Sequence, residues 1–122
     1  MTDPKTKSTN QLLEIFTRSA LEHFDTYITG NVKKSNKLYS VIDAVARRLR
    51  DQPGDEHIRL TGLLRHENPH VRLQAAKYFN PVAPKDARSC LEAIRAARLP
   101  DQSLDAGMTI RGLDEDPYCL DL

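Results

Sequence analysis

The sequence predicts an all-α fold in which six short helices form about three antiparallel hairpins stacked as an α-α superhelix. Three observations carry this expectation. Apolar residues recur every three or four positions in six separate stretches, the spacing of one helical face. Pro, Gly and Asn punctuate the chain between those stretches. No stretch alternates with period two for long enough to make a strand. Each pair of stretches occupies about 40 residues, a length at which helical hairpins stack as repeats.

The elements follow in order. Ser8, Thr9 and Asn10 offer N-cap oxygens, and Ser8 with Gln11 has the spacing of a capping box. Leu13, Phe16, Ala20, Phe24, Tyr27 and Ile28 form the expected stripe of a first helix, which Gly30-Asn31 ends by tolerating a left-handed backbone. Leu38, Val41, Ile42, Val45 and Leu49 mark a second helix, stopping at Arg50-Asp51 before the turn chemistry of Pro53-Gly54-Asp55. Ile58, Leu60, Leu63 and Leu64 predict a short third helix. Asn68-Pro69 starts a fourth, because Asn caps free N–H groups and Pro at the first helical position loses no hydrogen bond. Its buried side is expected to be Val71, Ala75, Ala76 and Phe79. After Pro81-Val-Ala-Pro84, a fifth helix carries Ala87, Cys90, Leu91, Ile94 and Ala97 and closes at Pro100. Asp101 or Ser103 caps a sixth, with Leu104, Met108 and Leu113 expected to face inward.

Length and composition bound the rest. The chain of 122 residues, 39% hydrophobic and 29% charged, suits one folded domain. The expected division is a loose tail over 1–8, a helical domain over 9–114 and an acidic tail over 115–122. A net charge of +1 excludes a uniformly basic nucleic-acid binder and leaves only a local patch. Cys90 and Cys119 are too few for a disulfide framework or a Cys-rich zinc site and suit a reducing compartment. The polar start, Met1-Thr-Asp-Pro-Lys-Thr-Lys-Ser8, carries no apolar signal region. No apolar run reaches the ~18 residues that a membrane span needs. A cytoplasmic setting without membrane contact is therefore expected.

The run Leu63-Leu64-Arg-His-Glu-Asn68-Pro69-His-Val71-Arg72-Leu-Gln-Ala75-Ala76 resembles the centre of a HEAT repeat. Physically, Asn68 and Pro69 set the turn, Val71 plugs the hairpin, and Ala75 and Ala76 let two helices approach closely. The chain over roughly residues 11 to 114 is also similar to a bacterial family known as domain of unknown function twenty-nineteen. Beyond the helical start, the Pro53-Gly54-Asp55 turn and the Asn68–Ala76 run, Ala83-Pro84-Lys-Asp-Ala87 and Asp105-Ala106-Gly107-Met108 carry that likeness. The resemblance implies a HEAT-like superhelix in a bacterial cytoplasm and brings no activity or catalytic residue with it. In HEAT-like stacks the arginine at the position of Arg72 ties neighbouring hairpins together, so Arg72 is expected to hydrogen-bond an acidic or carbonyl group of the next hairpin.

Enzyme chemistry finds little support. No phosphate-binding glycine motif, nucleophile elbow or zinc-protease motif occurs. His66 and His70 are four apart, but Pro69 between them makes them straddle a turn, and no metal site is expected. His23, His57, His66 and His70 are read as solvated or turn-capping. Cys90 lies on an apolar stripe and lacks a partner base, while Cys119 in the tail is expected to be oxidisable. Asp114, Glu115 and Asp116 are adjacent and diverge around a helix or turn, so they make no acid–base pair. No cofactor is implied.

The best functional lead is charge. Residues 32–50 hold Lys33, Lys34, Lys37, Arg47, Arg48 and Arg50 against Asp43 alone, a local sum of +5, whereas residues 101–122 sum to −5. At ~100° per residue, Lys33, Lys37, Arg47 and Arg48 fall within about one quadrant, away from the apolar set. The leading expectation is a non-enzymatic protein-interaction module, immunity- or antitoxin-like in kind, whose basic second-helix face meets an acidic protein. The oligomeric expectation is a monomer or weak homodimer. The alternative is a nucleic-acid-binding accessory protein using the same residues. The seven aromatics sit mostly on expected core stripes, which argues against a base-stacking platform.

Overall fold

A computed structural model of the chain describes residues 8–51 and 61–115. Among these, five α-helices and one 3-10 helix occur and no strand, as the three-and-four spacing predicted. The helices are α1 (Thr9–Thr29), α2 (Val32–Arg50), α3 (Pro69–Phe79), α4 (Pro84–Ala96) and α5 (Gln102–Glu115), with the 3-10 helix at Thr61–Arg65. The chain divides into two compact units, Met1–Leu60 and Thr61–Leu122. The first seven residues of the expected tail, the Pro53-Gly54-Asp55 turn, His57, Ile58, Leu60 and residues 116–122 with Cys119 lie outside the described residues.

In the first unit α1 packs against α2. The capping box forms as expected: Ser8 Oγ accepts the Gln11 N–H at 3.3 Å and Gln11 Oε1 accepts the Ser8 N–H at 2.9 Å. Gly30 ends α1 at φ 69°, donating its N–H to Thr26 O. The buried face of α1 is a correction. It consists of Thr9, Leu12, Phe16, Ser19, Ala20, His23 and Thr26, while Phe24 is half-buried, Tyr27 is exposed and Ile28 is 80% exposed. The rotation follows from polar side chains whose bonds are met inside, such as Thr26 Oγ1–H, which donates to His23 O. Leu38, Ile42, Val45, Ala46 and Leu49 supply the buried side of α2, with Val41 at its edge.

In the second unit α3 packs on the 3-10 helix, α4 and α5. The predicted third α-helix is a second correction, since its described part, Thr61–Arg65, winds as a 3-10 helix. Gly62 disfavours α-helix there, and the Asn68 turn follows closely. Asn68 Oδ1 accepts the His70 N–H at 2.8 Å and the Val71 N–H at 3.4 Å, with Pro69 in the first helical turn. Helix α3 is buried nearly all round, through His70, Val71, Leu73, Gln74, Ala75, Ala76 and Phe79. Burying Phe79 alone contributes about 1.5–3 kcal/mol. Helix α4 buries Ala87, Leu91 and Ile94 and stops as Arg98 turns left-handed at φ 56°; Cys90 is only half-buried and Ala97 is exposed.

Helix α5 is the third correction. It buries Gln102, Ala106, Ile110 and Leu113, whereas Leu104 is 66% and Met108 64% exposed. Lys77 Nζ lies 3.1 Å from Asp105 Oδ2 and ties the flank of α5 to α3. Ser103 donates its hydroxyl to Ile94 O and accepts the Leu99 N–H, fastening the preceding turn. Asp101 O accepts the Asp105 N–H at the helix start.

Candidate functional site

The basic face stands on α2, and its geometry comes from the α1–α2 turn. Asn31 Oδ1 accepts the Lys34 N–H at 3.0 Å and starts the helix. Lys33, Lys34 and Lys37 therefore occupy the first turns, where the helix dipole is positive and no acidic residue offsets it. Each cation there works against local helix stability, so three together concentrate positive potential in one place. Lys33, Lys37 and Arg47 are exposed as expected, with Ser40 and Ala44 exposed between them. These five positions run at alternating intervals of four and three, one straight seam along a helix.

Two of the four nominated cations are less available. Arg47 Nε lies 2.9 Å from Asp43 Oδ2, which neutralises it locally. Arg48 is half-buried at the boundary of the apolar face and its Nε is shielded from solvent. The strongest uncompensated charge on the face therefore lies at its N-terminal end, on Lys33 and Lys37.

Behind that end lies a cluster the charge reading missed. His23 is buried, and its Nε2 lies 3.1 Å from Ser35 Oγ, linking α1 to α2. Tyr27 meets the imidazole edge-on at 5.6 Å between ring centres, and Tyr39 approaches at 6.3 Å. Both tyrosines are exposed, Tyr39 on the Ser35 side of α2, away from Lys33 and Lys37. Helical spacing showed His23 one turn before Tyr27, but its contact with Ser35 depends on how the hairpin closes.

In the second unit, Asn68, Pro69, Val71, Ala75 and Ala76 build the turn and the tight inner face of α3, the last three fully buried. The Arg72 Nε is buried and has no hydrogen-bond acceptor among the described residues. His66 caps its turn, its Nδ1 accepting the Asn68 N–H at 3.0 Å. The solvated reading of the other two described histidines is corrected: His23 is buried, and His70 is fully buried between the amides of Gln74 and Gln102.

No group of three metal-ligating side chains gathers among the described residues. Thr61, Leu64, Arg65, Asp86, Ser89 and Cys90 line an open cleft of about 280 Å3. The Cys90 Sγ–H points to Leu64 O and Arg72 O, and burial pushes its pKa up, although the positive charge of Arg72 opposes this. A protonated thiol with carbonyl partners is a poor nucleophile. Asp114 is held bidentately by Arg88 at 2.8 and 3.3 Å, and Glu115 by Arg111 at 3.0 Å, so these neighbouring carboxylates face different cations. These pairs, with Asp105–Lys77, offset part of the acidity expected of the C-terminal region.

A family model described as a domain of unknown function, DUF2019, matches residues 10–114. The crystal structure of the protein RPA1889 from Rhodopseudomonas palustris CGA009 superposes with a TM-score of 0.88 at 34% identity, over 95% of this chain and 96% of that one. No curated protein matches in sequence. No helix among the described residues is long and apolar enough to cross a membrane.

Proposed function

The chain belongs to the DUF2019 family, and we propose that it works there as a non-enzymatic protein-interaction module whose outward α2 face binds an acidic protein surface. The observation that carries this reading is the exposed seam of Lys33, Lys37, Ser40, Ala44 and Arg47. Small residues at its centre admit a close-packed partner, and cations at its ends select one of opposite charge. A protonated Cys90 with carbonyl partners is consistent with a role without chemistry. The helical pairs are read as HEAT-like hairpins; the Asn68-Pro69 turn with buried Val71, Ala75 and Ala76 behind it supports that finer reading. An immunity- or antitoxin-like role in a bacterial cytoplasm remains the specialisation that this design suits.

The test is affinity capture from a native lysate with wild-type protein and a Lys33→Glu, Lys37→Glu, Arg47→Glu variant. Arg48 is left intact because it is half-buried at the edge of the apolar face. A partner retained by wild type, lost by the variant and released by salt supports the reading. Equal retention by both refutes it.

A second reading, nucleic-acid binding, is favoured by one observation: Tyr27 and Tyr39 are exposed, and an exposed ring can stack a base. Retention on single-stranded DNA falling steeply with salt supports it. No retention at low salt excludes it.

A further inference from the structure

We propose that the outer face of α5 pairs with the same face of a second copy of this chain, antiparallel about a two-fold axis. Leu104 and Met108, one turn apart, leave most of their surface uncovered on a helix whose other side is fully packed. Asp101 lies three positions before Leu104 and Arg111 three positions after Met108, and both are exposed. The intervals 3, 4 and 3 place all four on one side of the helical spiral, which the Asp105 N–H to Asp101 O bond extends back to Asp101.

This seam is complementary to itself. Reversing it end for end sets Leu104 on the second copy's Met108 and Asp101 on the second copy's Arg111, and the two-fold repeats both contacts. A parallel arrangement would set like charge on like charge. Arg111 now pairs with Glu115 along its own helix, but both side chains are highly exposed, at 81% and 66%, so exchange to a new carboxylate costs little. The seam spans about 15 Å of helix. It buries less than the roughly 800 Å2 per partner of a standard interface, so dissociation on the order of 100 µM is expected.

The experiment is sedimentation velocity of the full chain from about 10 µM to 1 mM, bracketing that value, with far-UV circular dichroism confirming the fold of each variant. Wild type should sediment increasingly as a dimer. Leu104→Glu should abolish the dimer. Asp101→Arg or Arg111→Asp alone should weaken it by about tenfold, because each turns two attractive pairs into repulsive ones. The double swap, Asp101→Arg with Arg111→Asp, keeps net charge and should restore it. A monomer throughout, a dimer indifferent to Leu104→Glu, or a double swap as weak as the single changes overturns the proposal. So does loss of the dimer on Lys33→Glu with Lys37→Glu, which would assign association to the α2 face.

Discussion

The Gln102 amide nitrogen lies 3.3 Å from His70 Nδ1, joining α5 to α3 where solvent does not reach. Across the ring, His70 Nε2 lies 3.5 Å from the Gln74 amide. A neutral imidazole has one N–H and one lone pair. With the proton on Nε2, Gln102 donates to Nδ1 and Nε2–H donates to the Gln74 oxygen after a half-turn of that amide; with the proton on Nδ1 the roles reverse and the Gln102 amide turns instead. Without the half-turn, Gln74 Oε1 is buried with no partner. His70→Ala removes a buried ring and orphans two amides, so it should cost about 2–4 kcal/mol. Urea unfolding measures it, and a loss under ~0.5 kcal/mol, the scale of a surface substitution, would contradict a supporting role for this polar core.

Gly30 closes α1 at φ 69° with open space where a Cβ would stand. Its replacement is therefore a question of backbone strain alone. Gly30→Ala should destabilise by about 1 kcal/mol and Gly30→Asn by less. Equal unfolding midpoints for wild type and Gly30→Ala would show that the turn relaxes.

The Arg88 guanidinium, hydrogen-bonded to Asp114, holds that carboxyl below its ordinary value of 3.8. A group with a depressed folded pKa stabilises fully above its unfolded value and loses that contribution as pH falls through the folded one. Wild type should therefore lose more stability than Asp114→Asn as pH drops below 3.8. The pair is solvent-exposed, so the difference should be small and shrink in salt. Identical acid-unfolding profiles would count against the pair.

Burial keeps the Cys90 thiol protonated. In a Cys119→Ser background, Cys90 should react with a disulfide reagent at neutral pH about tenfold or more slowly than in the urea-unfolded chain. A rate equal to the unfolded chain's would mean an accessible thiolate and reopen covalent chemistry in its cleft.

Element positions were legible wherever local chemistry decides them. Ser8 with Gln11, Gly30, Asn68 with Pro69, and Pro84 act within a few residues of themselves, and each bounds a helix as expected. Helix faces were less legible because hydrophobicity alone misjudged them. On α1, polar Ser19, His23 and Thr26 went inside while Ile28 stayed out. On α5, small Ala106 with Ile110 and Leu113 formed the packed side, and the larger Leu104 and Met108 were left outward. The basic seam was visible as a periodicity of charge. What trimmed it, the Asp43–Arg47 pair and the partial burial of Arg48, depends on packing that a helical wheel does not contain.

The proposed protein-binding surface is the outward α2 face. Its most direct measurement places a photo-reactive residue at position 40, mid-seam, with Arg98 as the control position, and irradiates the native lysate. A discrete cross-linked protein from position 40 is expected, and it should disappear with Lys33→Glu and Lys37→Glu. No product above the control, or one unaffected by charge reversal, would contradict it.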